Sequence, residues 1–199
     1  MRVLVIYCHP QAGSLTAAVR DRVVGALAAA GAEVRVTDLH AEGFDPVLRA
    51  EDLARYNDSP ANEGPIAAHA GDLRWCEGLV VIYPTWGQGL PAMLKGWLDR
   101  VLVPGLGFLP PRQEGGRVRP GLTHVRRLAV FTTHGTSWWV AKLTGDAGRI
   151  TLMRGLRLLL APRARARFVT LRAVHAAGAD RRAAHLDRVA AITGRLFAG

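Results

Sequence analysis

The stretch Leu79-Val80-Val81-Ile82-Tyr83, running straight into Pro84-Thr85-Trp86-Gly87-Gln88-Gly89-Leu90-Pro91, decides how the rest of the chain is read. An apolar run without alternation is the pattern of a parallel strand covered on both faces. The prolines and glycines that follow end the strand, and over residues 92–102 the spacing turns helical. In an open α/β sheet, ligands sit in the crevice outside the carboxyl ends of the strands. Prolines fix φ there, glycines admit close backbone approach, and a tryptophan adds an aromatic face, so the loop reads as a rigid wall for a planar molecule.

The same grammar repeats on either side of that segment. Residues 3–7 form a second unbroken apolar run, followed by a turn at 9–14 and a helical pattern over 15–30, with Val19, Val23 and Leu27 on one face and Gly31 as the stop. Residues 33–37 read as a strand, 48–56 as a short helix, 57–65 as a surface loop and 66–75 as a helix. Beyond the central segment, the proline- and glycine-rich stretch 104–121 is expected to lack regular structure; connections of that length usually carry function or cover an interface. Residues 128–132 read as the fourth strand, 149–160 as a helix, 168–171 as the fifth strand and 181–197 as the closing helix. Strands alternating with helices imply an α/β fold, a doubly wound five-stranded parallel sheet with helices on both faces, because right-handed crossovers place helices on either side. The 199 residues, 49% of them hydrophobic, suit a single domain spanning residues 1–199.

Charge and cysteine usage narrow the function classes. Lys and Arg number 26 against 16 Asp and Glu, a net charge of +10. The late arginines are scattered and lack interleaved aromatics, so the expectation is solvated helix faces and no nucleic-acid partner. Such an excess still attracts a phosphorylated cofactor such as NADPH. Cys8 and Cys76 fall beside or within buried elements, which supports neither a disulfide framework nor a metal site. The first apolar run is too short for a secretory signal, and no stretch is long enough to cross a bilayer, so a cytoplasmic protein with no stable membrane insertion is expected. Gly-x-Ser-x-Gly, His-Glu-x-x-His and a Walker phosphate loop are absent, and nothing recommends a hydrolase.

The first turn, His9-Pro10-Gln11-Ala12-Gly13-Ser14-Leu15-Thr16, lacks the Gly-x-Gly-x-x-Gly of a dinucleotide-binding Rossmann turn. A helix start preceded by Ser and Thr hydroxyls still makes a phosphate cradle from backbone N–H groups and the helix dipole. The plainer role for Ser14 is that of a helix cap.

Three segments together carry a family likeness: His9-Pro-x-x-x-Ser14 after the first strand, Asp38-Leu39-x-x-Glu42-Gly43-Phe44-Asp45-Pro46 after the second, and Pro84 through Leu90-Pro91-Ala92-Met93-Leu94-Lys95-Gly96-Trp97-Leu98-Asp99-Arg100 after the third. The chain resembles the NAD(P)H:quinone oxidoreductases of the flavodoxin-like superfamily over nearly its whole length. The resemblance implies bound FAD, with FMN as the alternative, NADPH or NADH as hydride donor, a quinone-like small-molecule acceptor, ping-pong turnover, and a homodimer with the pocket at its interface. By the same resemblance His9, Ser14, Leu15 and Thr16 look like the flavin phosphate site. Pro84, Thr85, Trp86 and Gly87 look like the loop under the ring, and Thr132, Thr133, His134 and Gly135 like the second loop. Phe108 resembles the aromatic that one subunit lends to the other's pocket. Apart from the resemblance, Trp138 and Trp139 are expected at a pocket or dimer contact, Trp138 toward substrate, and His134 and Trp139 are the candidates to act on the reaction.

The chain departs from the family pattern where chemistry is expected. Trp86 is followed by Gly87-Gln88-Gly89 where adjacent aromatics are common, so one wall of the pocket is expected to be wider. His134 stands where a glycine is common. The region Trp138-Trp139-x-x-x-x-x-Gly145-Asp146 lacks the Tyr and His that better-known members use, and an indole N–H donates but does not shuttle a proton. Two other classes stay open on sequence: a flavodoxin-type electron carrier, for which a basic surface is unusual, and a redox-sensing regulatory subunit of a membrane transport system.

Overall fold

The computed structural model describes residues 1–113 and 115–198. Glu114, within the 104–121 connection, and Gly199, the last residue of the expected domain, lie outside the described residues. In chain order the elements are β1 (Arg2–Tyr7), α1 (Leu15–Ala29), β2 (Glu33–Asp38), α2 (Ala50–Ala54), a 3-10 turn (Ala61–Ile66), α3 (Ala67–Trp75), β3 (Gly78–Pro84), α4 (Ala92–Val101), β4 (Phe108–Leu109), β5 (Arg119–Pro120), β6 (Arg127–Thr133), α5 (Trp138–Leu143), α6 (Ala147–Ile150), β7 (Arg165–Leu171) and α7 (Ala179–Phe197). β2, β1, β3, β6 and β7 form one five-stranded sheet in that order, with parallel pairing throughout. Numbered among themselves, these strands run 2-1-3-4-5, the flavodoxin-like order, whose winding reverses between β1 and β3.

Each central strand feeds two cores by simple alternation. Leu4, Ile6, Leu79, Val81, Leu128 and Val130 point to a core shared with α3 and α4, while Val3, Val5, Val80, Ile82, Ala129 and Phe131 point to one shared with α1 and α7. This is why β1, β3 and β6 read as unbroken apolar runs: both faces are covered. Trp97 on α4 is fully buried in the first of these cores, as its helical spacing predicts. The edge strands differ. On β2 only Thr37 is buried, and β7 begins with the exposed Arg165 and Arg167, charges that blunt an open edge.

Several sequence expectations are corrected. β7 starts three residues earlier than 168, since its first half has the polarity of an edge. The 57–65 loop gives way to the Ala61–Ile66 turn, in which Asn62 is buried and its Nδ2 donates to the carbonyls of Tyr56 and Pro104, at 2.8 and 2.9 Å. The 104–121 connection contains a two-residue antiparallel hairpin, β4 with β5. The 149–160 helix is a composite: α6 runs into a π turn (Thr151–Gly155) and then a 3-10 turn (Leu156–Leu159), and α5 precedes it where no helix is evident from sequence. Among the described residues no helix is long and apolar enough to cross a membrane.

Candidate functional site at the strand tips

The carboxyl ends of β1, β3 and β6 are tied to one another. Beyond β1, the Cys8 N–H donates to the Ile82 carbonyl of β3 at 3.0 Å. Beyond β3, the Thr85 N–H donates to the Thr133 carbonyl at 2.8 Å, and the Thr85 and Thr132 hydroxyls are 3.0 Å apart. The His9 and Trp86 rings, 77 positions apart in sequence (86 − 9), stand 6.0 Å centroid to centroid with planes tilted by 57°. This contact lies over the reversal point between β1 and β3, where the fold leaves its crevice.

The β1 loop ends in a well-formed helix start. Ser14 is extended, and its Oγ accepts from the Ala17 N–H at 3.1 Å, so the capping role holds. That bond satisfies one donor; the Leu15 and Thr16 N–H groups still have no acceptor within the helix. The first turn carries no acidic residue, leaving the positive end of the helix dipole open to an anion. The Gln11 N–H donates to His9 Nδ1 at 3.0 Å, which puts the imidazole proton on Nε2. Burial lowers the His9 pKa, so the ring is neutral at pH 7.

The β3 loop makes a reciprocal tight turn. Trp86 and Gly89 exchange N–H···O bonds at 3.3 and 2.9 Å, with Gly87 at φ 54° and Gln88 at φ 62°, the geometry of a type I′ turn. Gln88 therefore occupies a left-handed conformation that glycine would take without strain. The turn leaves Trp86 46% exposed beside His9.

The β6 loop holds the unusual histidine. His134 is 1% exposed, its N–H donates to the Leu171 carbonyl and its carbonyl accepts from Val174, yet neither ring nitrogen has a hydrogen-bond partner. Its Nε2 is 3.7 Å from Asp146 Oδ1, and Arg172, just past β7, meets the other carboxylate oxygen at 3.0 Å. Asp146 is held there by a left-handed backbone, φ 46°, between α5 and α6. Burial is the main reason the His134 pKa is lowered; Asp146 opposes the shift and Arg172 adds to it. Gly135 follows, and a Cβ built there would meet the His175 ring, with Nε2 at 3.4 Å.

The other sequence-predicted residues are more dispersed. Trp138 and Trp139 stack edge to face at 4.5 Å on α5, 50% and 70% exposed, with Lys142 Nζ 5.1 Å from the Trp138 ring centre. A concavity of about 640 Å³ opens beside them and is lined by Trp138, Lys142, Asp146 and Arg172 among others. Phe108 sits on the β4–β5 hairpin, its carbonyl accepting from Gly105, and no hydrogen bond or ring contact among the described residues joins it to the three loops. Asp146, which the sequence shows only as the end of the Trp138–Asp146 region, and Arg172 are site residues to which sequence reasoning gives no role: no motif marks them, and the positive φ of Asp146 is a property of the folded backbone. Cys8 and Cys76 are buried thiols pushed up to about 12, which leaves both protonated and unreactive at neutral pH.

Buried neutral histidines make stability pH-dependent. His134, His185, His69 and His9 all have pKa values lowered from 6.5 by burial, so the unfolded chain binds protons that the native state refuses. Their contribution is fully present above the unfolded value of 6.5 and is lost as pH falls below it, down through the lowered native values. The melting temperature is expected to drop on acidification from about pH 7.5 to about 5.5, and the drop should be smaller in His185→Gln, which removes the buried imidazole of α7. A melting temperature that does not change over that range would contradict this.

Comparison with known proteins places this arrangement in a family. The model of the family described as having a flavodoxin-like fold matches residues 1–191, and the chain belongs to that family. The chain is 32% identical over 108 residues to an uncharacterized NAD(P)H oxidoreductase of Escherichia coli, a match covering 54% of this chain and 55% of that protein. It thus spans little more than half the length of that curated relative. Among solved structures, Smu.1420 from Streptococcus mutans superimposes with a TM-score of 0.85 at 25% identity, covering 98% of this chain and 100% of the other. The NAD(P)H:quinone oxidoreductase of Methanothermobacter marburgensis gives 0.82 at 22% identity, covering 98% of each chain, a likeness of fold.

Proposed function

We propose that the protein is a flavin-dependent oxidoreductase that passes a hydride from a reduced nicotinamide nucleotide to a quinone-like acceptor, in ping-pong fashion. The observation that carries this reading is the His9–Trp86 contact over the β1/β3 crevice, buttressed by the Thr85 bonds to the β6 tip. The residues fit a flavin on two further counts: an acid-free helix start at Leu15 and Thr16 suits a phosphate, and a buried imidazole at His134 has no partner for either nitrogen. The quinone reductase name of one structural neighbour points the same way.

In this reading a bound flavin, FAD in preference to FMN, supplies the two-electron store that nicotinamide fills and the acceptor empties. His9, Ser14, Leu15 and Thr16 hold its phosphate. Pro84, Thr85, Trp86 and Gly87 would hold the ring, together with Thr132, Thr133, His134 and Gly135 of the second loop, where polar groups would favour the charge that reduction places on a flavin. His134 holds the proton in play: Asp146 favours imidazolium, burial opposes it, and a new negative charge nearby would tip the balance. Trp139 contributes an N–H donor at the mouth, and Trp138 flanks the acceptor. Phe108 serves the pocket of a second copy; Trp139, Val140, Leu143 and Leu158 are exposed apolar side chains for a homodimer to cover.

The test is steady-state oxidation of NADPH by flavin-loaded protein with a benzoquinone as acceptor. Parallel double-reciprocal lines and a dimer by light scattering are expected. Absence of turnover above free flavin, or turnover by a monomer, would contradict the reading.

A further inference from the structure

The concavity beside Asp146 has a charge imbalance that the redox site does not use. Its wall carries Lys142, Arg149, Arg154, Arg157 and Arg172 against one carboxylate, Asp146. Arg172 is already spent on that carboxylate at 3.0 Å. Among the described residues no carboxylate lies within ion-pair distance of the other four. Arg149 lies over the Phe168 ring at 5.5 Å, and Arg157 donates to the Ala164 carbonyl at 3.2 Å, contacts that orient a guanidinium without neutralising it. Four cations gathered in one recess repel one another, and an anion entering it relieves that repulsion.

The position of the recess says which anion. It begins at Asp146, whose other oxygen is 3.7 Å from His134, and follows α6 and the π turn away from the strand tips. At about 1.5 Å of rise per residue, Arg154 lies on the order of 10 Å along that axis from Asp146. Trp138, half-exposed at the start of α5, lines the recess as well. A ligand that spans the recess from the tips outward therefore meets an aromatic face and then guanidinium groups that bind phosphate in bidentate fashion. NADPH has this layout, with its extra phosphate on the adenosine end, remote from the nicotinamide; NADH lacks the charge.

We propose that the recess between Trp138 and Arg154 seats the phosphorylated adenosine of NADPH and makes the protein select NADPH over NADH. This rests on the reading of the strand tips as a flavin oxidoreductase site. The flavin phosphate is placed on the β1 side of the crevice, so the two anion sites do not compete.

The test uses flavin-loaded protein and separates binding from turnover. Titration with adenosine 2′,5′-bisphosphate, followed by calorimetry and tryptophan emission, is expected to show saturable binding about tenfold tighter than adenosine 5′-monophosphate. In turnover, kcat/KM for NADPH should exceed that for NADH about tenfold, through KM. Arg154→Gln and, independently, Arg149→Gln should each erode both preferences several-fold while flavin content stays unchanged. Equal binding of the two adenylates, preferences untouched by both variants, binding that appears only after flavin is stripped, or displacement of the bisphosphate by an equal concentration of inorganic phosphate would each overturn the proposal. Failure of the oxidoreductase reading shows up separately, as no turnover with either nucleotide while bisphosphate binding is still measured directly.

Discussion

Ser14→Asp is expected to purify folded and colourless. Asp caps a helix about as well as Ser, so the bond to the Ala17 N–H and the start of α1 survive the change. What changes is the charge at the mouth of the Leu15 and Thr16 N–H groups. A carboxylate there occupies the positive end of the helix and repels a phosphate at close range, where two like charges in a partly desolvated site cost several kcal/mol. Flavin affinity should fall at least about a hundredfold, equivalent to roughly 2.7 kcal/mol, with the melting temperature of the flavin-free protein nearly unchanged. Ser14→Ala separates the two roles: it removes the cap, costs about 1 kcal/mol of stability, and leaves flavin bound more weakly by only a small factor. A Ser14→Asp protein that keeps its full visible absorbance would show that the phosphate lies elsewhere.

Gly96→Ala should be among the most destabilising single-methyl changes in the chain. Gly96 sits in the middle of α4, and a Cβ built there meets the carbonyl oxygen and Cβ of Pro46, with Pro46 Cα at 2.6 Å. Backbone crowds the site, so relief requires moving the 44–52 segment, which Arg100 pins through the Asp45 carbonyl and an ion pair to Asp52 at 3.3 Å. Alanine gains about 1 kcal/mol of helix propensity over glycine, while overpacking against fixed backbone costs about 3 kcal/mol or more. The net loss should lower the melting temperature by several degrees, at roughly 2–4 °C per kcal/mol for a chain of this size. Gly25→Ala in α1, where nothing lies within 4 Å, is the control and should stabilise slightly. Equal melting temperatures for the two variants would contradict the packing argument.

That motif shows what the sequence could and could not reveal. Lys95-Gly96-Trp97-Leu98-Asp99-Arg100 is the most family-specific run, and its residues turn out to serve the scaffold. Lys95 pairs with Asp99 at 2.6 Å, Gly96 admits Pro46, Trp97 fills the core, and Arg100 clamps the loop after β2. The strands covered on both faces were legible because burial forces an unbroken apolar run. The first half of β7 was not, because an edge strand carries Arg165 and Arg167 without conflict. α5 was missed because the Trp138-Trp139 pair gives no one-sided apolar stripe, and the break of the 149–160 helix into π and 3-10 turns has no punctuation in its residues.

At the site, the loops were legible from their turn chemistry and their place after strands. The contacts between them were not. Nothing local in His9-Pro10 or Trp86-Gly87 says that the two rings meet, since their approach follows from β1 and β3 being neighbours in the sheet. The coupling of His134 to Asp146 and Arg172 likewise joins three segments, the loop after β6, the turn between α5 and α6 and the end of β7, through the pairing of β6 with β7. Charge composition pointed to a phosphorylated ligand, but only the fold gathers Arg149, Arg154 and Arg157 around one recess.

Equilibrating the purified protein with excess FAD or FMN, removing free ligand by gel filtration and reading the visible absorbance of what remains tests the convergence of the three tips most directly. The account predicts about one flavin retained per chain, with a spectrum perturbed from that of free flavin by the Trp86 and His134 walls. Protein that emerges colourless from both incubations, still folded and still melting cooperatively, would contradict it.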